Sequence, residues 1–261
     1  MTTTTLVAPI RVNTAGVHAR PGLGRLVGVE LRKMVDTRAG FWLQVAMVAL
    51  TVVVVVVRLL VGDRADHTFQ SVLDAGLQPA AILLPVLGIL LVTSEWSQRT
   101  GLITFALVPV RSRVLGTKLI ASLLLATAML AISVAVVAAG VFVSSPGVEA
   151  TWSDAVPLIG QSAVCLTAGM GVAVALGAIL LASAPAIVLL FPLRMSWMAV
   201  VSLPVFSGVA PWVDNARALG QMTEDVMSAT QWAHAGTSLA IWMVLPLLIG
   251  AWRITRREIA S

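Results

Sequence analysis

The chain has 261 residues, 58% of them hydrophobic and 11% charged, and its mean hydropathy is +0.96. A globular domain is about half apolar; a soluble core cannot hide this surplus but a bilayer can, so the composition excludes a soluble domain and predicts an all-α polytopic membrane protein. The net charge of +5 is placed to orient a chain in a membrane and does not point to nucleic acid.

Residues 1–22 form a polar tail without the apolar run of about 7–15 residues that a signal peptide needs. Residues 23–38, "LGRLVGVELRKMVDTR", follow a helical period. Leu23, Leu26, Val27, Leu31, Met34 and Val35 make an apolar stripe, and Arg25, Arg32, Lys33, Asp36 and Arg38 take most other positions. Such a helix lies along a membrane surface ahead of the first span. Glu30 sits beside the stripe, where an unpaired acid is costly, so it needs a base: Arg99, or one between Arg111 and Lys118.

Six stretches approach the ~20 apolar residues of a transmembrane helix: 39–60, 78–96, 117–143, 156–182, 185–208 and 232–252. Pro79 fits a first helical turn. Between 155 and 213 the only charge is Arg194, and this region suits two long helices with a tight turn near "ASAP", 182–185. Three spans there would leave nothing for loops. Within it Gly169, Ala173 and Gly177 recur every four residues, allowing close helix approach inside the chain or at a dimer seam. Gln161, Ser162 and Thr167 are polar residues available to a pathway. Arg194 is either deep in the fifth span, pairing or lining a cavity, or at an interface and snorkelling if that span starts later. Trp42, Trp96, Trp152, Trp212, Trp232 and Trp252 lie near span ends, as interfacial aromatics do. Trp197 and Trp242 fall deeper, as packing residues.

The bases set an orientation. With the amino terminus inside, the inner segments carry 13 bases, against Arg58, Arg64 and Arg217 outside. Both termini are then cytoplasmic, residues 253–261 are a basic tail, and 95–118 is the first cytoplasmic loop. In that loop Glu95 and Arg99 are spaced for a helical ion pair. Thr100-Gly101 allows a break, "LITFALV" is too short to cross a membrane, and Pro109 ends it. Arg111, Arg113 and Lys118 lead into the third span. The loop is either a positive anchor or a knob that docks into a soluble protein.

Together these features resemble the permease subunit of type-2 ABC transporters. The likeness rests on "ELRKMVDTR" before the first span, and on Glu95, Thr100, Gly101, Pro109, Arg111, Arg113 and Lys118 around the first loop. With six spans and both termini inside, it covers essentially the whole chain. The resemblance implies a connecting helix (Glu30, Arg32, Lys33, Arg38) packed beside a coupling loop that touches a separate ATP-binding subunit. It further implies two such subunits, a second permease copy (identical or not), a plasma-membrane location, and a short helix capping the exit between Val213 and Gln231. No phosphate-cradling G-x-x-x-x-G-K-[ST] occurs in the chain, so ATP and Mg are expected on the partner, and no cofactor or catalytic role is expected here. A secondary transporter or a membrane assembly protein is the alternative. An intramembrane enzyme fits poorly: His18, His67 and His234 are scattered, Cys165 is alone, and neither H-E-x-x-H nor G-x-S-x-G is present.

Overall fold

The computed structural model describes residues 22–61, 67–97, 111–144, 152 and 154–256, and these are helical with short connections. An amphipathic helix α1 (Leu23–Asp36) is followed by α2 (Arg38–Val61), α3 (Phe69–Ser97), α4 (Arg111–Ser144), α5 (Ala155–Leu180) and α6 (Ser183–Val201). After a 3-10 turn at Pro204–Phe206 come the short helices α7 (Ala210–Val213) and α8 (Asn215–Glu224). The last long element joins α9 (Ala229–Leu239), a π-helical turn (Ala240–Val244) and α10 (Leu245–Arg256). Among the described residues, six helices are long and apolar enough to cross a membrane: α2, α3, α4, α5, α6 and the α9–α10 unit.

Their arrangement follows from which of them find protein neighbours. The apolar windows of α3, α5 and α4 are 61%, 56% and 44% buried, whereas those of α2, α6 and α9–α10 are 17%, 11% and 17% buried. The first three therefore form the centre, with α3 in contact with α2, α4, α5, α6 and α8. Small residues allow the approach. A Cβ on Gly177 would sit 3.4 Å from Thr93 and 3.5 Å from the Ile89 backbone, so α5 lies directly on α3 there. On Gly250 a Cβ would come 2.7 Å from Ala178, which fixes α10 against α5.

Helix ends differ from the apolar runs at several places, because hydrogen bonding rather than hydropathy ends a helix. The second span starts at Phe69, not near 78, so Pro79 and Pro85 are both inside α3 and not in a first turn. The fifth ends at Val201, where the chain breaks into 3-10 turns, rather than near 208. The third begins at Arg111, ahead of its uncharged stretch. The connecting helix stops at Asp36, and Arg38 opens α2. Gly40 is required at that junction: a Cβ would lie 2.0 Å from the Met34 carbonyl oxygen, the same oxygen that accepts from Gln44 Nε2 at 3.0 Å. The turn from α5 to α6 is equally tight. Leu181 adopts φ 55°, a left-handed cap unusual for a residue with a Cβ, and its N–H donates to Gly177 at 2.8 Å.

The segment between α6 and α9 folds back among the long helices. Trp197 of α6 and Trp242 of the π turn both donate their indole N–H to the Val213 carbonyl, at 3.1 and 2.8 Å, and their rings meet edge to face at 5.2 Å. Trp242 is thirteen residues from the start of α9, about 20 Å at a helical rise of ~1.5 Å per residue. Val213 therefore lies level with the middle of the last span, and α8 runs back from it. Its rising path is marked by Leu219 against Cys165, then Thr223 against Asp74 near the start of α3. The π turn falls where Pro246 removes a backbone donor from the last span, a usual cause of a local change in helical pitch.

Candidate functional site

Glu30, Lys33, Glu95 and Lys118 come together where α1 crosses the adjoining ends of α3 and α4. Glu30 places one carboxylate oxygen 2.7 Å from Lys33 Nζ and the other 2.9 Å from Lys118 Nζ. Glu95 Oε1 lies 3.0 Å from Lys33 and 3.2 Å from Lys118. The result is a closed ring of alternating charge with zero net charge. Lys118 uses its three N–H donors on Glu30, Glu95 and the Leu91 carbonyl, the last at 2.9 Å.

The local sequence explains each position. Val27, Glu30 and Met34 are the buried residues of α1, one face of the helix at spacings of three and four. Glu30 thus lies within the buried face rather than at its edge. Leu23 and Val35, at the margins of the predicted stripe, are each 52% exposed and do not share in that burial. Glu30, Glu95 and Lys118 are 5%, 4% and 3% exposed, so none could remain charged there without partners. The Lys33 side chain is 40% exposed and closes the ring on its open side. Partial burial works against charge on Lys33, but hydrogen bonds and attraction from Glu30, with further help from Glu95, outweigh it and hold the ammonium above its ordinary 10.5.

Compared with known proteins, the chain matches no protein-family model, and none of the curated proteins matches it. What the site can do must therefore be read from its geometry. The ring joins α1 to α3 and α4 through bonds that all depend on one another, and removing any member leaves the other three with an unbalanced charge. That is a mechanical joint. Every carboxylate and ammonium in it is already occupied by the others, which suits holding helices in register.

Other predicted residues fall elsewhere. Arg32 pairs with Asp36 at 3.3 Å, with side chains 82% and 64% exposed, a surface pair of little energetic weight. Arg38 is exposed at the start of α2. Arg113 is half-buried in the first turn of α4, and Arg111 opens that helix. Arg99, Thr100, Gly101 and Pro109 lie outside the described residues; within them, Glu95 binds Lys33 and Lys118. Ala173 and Gly177 are buried inside the chain, and Gly169 faces Leu219 of α8. Gln161, read as available to a pathway, donates to Met222 near the end of α8 and to Asp225 just after it, and accepts from the Met227 N–H. Thr167 bonds back to Ala163 within its own helix. Arg194 is eleven residues on from Ser183, about 17 Å along α6 at ~1.5 Å per residue, so it stands at neither end of the helix.

Sequence reasoning missed the role of Lys33 and the closure of the ring. One signal was present. The chain has only two lysines among its 17 basic residues, and both are in this ring. Lysine's compact three-donor ammonium suits a buried four-membered charge cycle, whereas arginine's planar fork favours a single bidentate partner.

Proposed function

We propose that the chain is the membrane-spanning permease subunit of an ATP-driven exporter of the type-2 ABC kind, worked by a separate ATP-binding subunit. The observation that carries this reading is the charge ring. Glu95 and Lys118 flank the 98–110 segment in sequence, and both are bonded to Glu30 or Lys33 of α1. A force applied to that segment would reach α1, α3 and α4 together, since the ring leaves them little freedom to slide separately.

On this reading ATP binding draws two nucleotide-binding subunits together, and the attached loops tilt the spans between inward-open and outward-open arrangements. Nucleotide can shift that balance only by binding one arrangement better than the other. The ring keeps the lever stiff, and a second permease copy supplies the facing wall of the pathway. Both termini and the 98–110 segment are then cytoplasmic.

The test is purification of the full chain with its genomic neighbours in mild detergent. A P-loop ATPase should co-elute and be lost when Arg111 and Arg113 are both changed to Glu. In a Cys165→Ala background, Thr100→Cys should react with an impermeant maleimide only from the inner face. No co-eluting ATPase, or labelling of T100C from outside, would sink the reading.

A further inference from the structure

A cavity of about 310 Å³ lies between α3, α5, α6, α8 and the last span. Its walls are mostly apolar, including Leu77, Ala81, Val172 and Leu190, with Trp197 and Trp242 alongside. Two polar side chains in its lining have unmet needs. Arg194 has no carboxylate within 4 Å of its guanidinium among the described residues, although it sits well inside an apolar helix. Asn215 is 8% exposed, and its side-chain oxygen is buried without a hydrogen-bond partner.

An arginine partway along a membrane-length apolar helix normally pairs or serves a ligand, and a buried amide oxygen without a donor costs about 1–3 kcal/mol. The acids that share a hollow with the arginine form no ion pair with it among the described residues. Asp214 and Glu224 line a neighbouring hollow with Arg194 and Arg217. One Asp214 oxygen, however, is taken by the Ala216 and Arg217 N–H groups at the start of α8. We infer that this cavity is a binding site for a single-chain anionic amphiphile, its chain against the apolar walls, its anionic group on Arg194 and, where the amphiphile carries one, a hydroxyl on Asn215. The volume is at the lower end of the ~300–1,000 Å³ typical of small-molecule sites, which favours one chain over two. The apolar walls favour an amphiphile over a free inorganic anion, since a free anion would be desolvated there for one contact only. Binding needs no ATPase, so the inference stands apart from the transport reading.

The test uses the full chain in neutral-detergent micelles, titrated with dibrominated stearate, a quencher of nearby tryptophan. Saturable quenching should appear and should be lost in the Trp197→Phe/Trp242→Phe variant. Arg194→Gln should raise the half-saturating concentration about tenfold, as expected for losing one charge-assisted hydrogen bond. The corresponding dibrominated alcohol should bind weakly to both proteins, and acetate should not displace the stearate. If the double tryptophan variant does not fold, native mass spectrometry counts stearate adducts on wild type and R194Q instead, with the same expected difference. Equal affinity in wild type and R194Q overturns the proposal, as does displacement by acetate. It also fails if quenching never saturates while Met195→Cys, in the Cys165→Ala background, forms a disulfide across α6 to a second copy that fills the site.

Discussion

Lys118 contributes a charge that water cannot reach, and its worth is set by what it leaves behind when removed. A buried ion pair is nearly neutral in energy relative to well-packed apolar side chains, but loss of one partner strands the other. Replacing Lys118 with Met leaves Glu30 and Glu95, both under a tenth exposed, sharing only Lys33. The expected cost is about 3–5 kcal/mol, measured as loss of folded protein in detergent titrations. Lys33→Met should cost clearly less, because that side chain is 40% exposed and water can replace part of what it supplies. Glu95→Gln combined with K118M should recover part of the K118M loss, since the two residues are coupled through one network. Equal costs for K33M and K118M would contradict this account of the ring.

At the scale of the element, α8 shows how a short helix stays seated among long ones. It starts on the Asp214 side chain, which accepts from Ala216 and Arg217 at 3.0 and 3.2 Å. Its far end has carbonyls without helical partners, and side chains from other helices supply donors. Gln161 of α5 serves Met222 at 3.2 Å and the following Asp225 at 2.8 Å, and Gln70 of α3 serves the Glu224 carbonyl. Gln161 also accepts from Met227 at 2.8 Å, so one side chain satisfies three backbone groups. Gln161→Leu should therefore loosen α8 without unfolding the spans. Each stranded buried group costs about 1–3 kcal/mol, and amides of residues 222–227 should exchange at least tenfold faster. Unchanged exchange there would show that Gln161 does not clamp the segment. The resemblance implied a short helix between the last two spans; its seating depends on a glutamine 61 residues away from Met222 in sequence, beyond the reach of any local pattern.

For the whole molecule, the distinction that matters is between helices that face protein and helices that face surroundings. Leu84 of α3 is fully buried in the central cluster, whereas Leu248 of α10 is 63% exposed. Leu84→Ala should cost about 2–5 kcal/mol, and the same change at Leu248 about 0.5 kcal/mol or less, both read as shifts in detergent-induced unfolding. Comparable losses would place the core elsewhere. Hydropathy does not separate these helices: α2 has the highest value of the six, 2.6, and is only 17% buried. In a membrane chain apolar residues satisfy lipid and protein alike, so burial cannot be inferred from apolarity.

The sequence by itself determined the class of molecule. Long uncharged runs specify six membrane-length helices, and a helical period specifies α1, because both properties are local and legible within about twenty residues. The same local reasoning required that Glu30 find a base. Tertiary structure alone decided that the base is Lys118, 88 residues away, that Lys33 reaches Glu95 across 62 residues, and that Arg194 and Asn215 share one cavity wall. The reason is physical: the cost of burying a charge or an amide follows from residue type and surroundings, whereas the partner that relieves it follows from how distant helices pack.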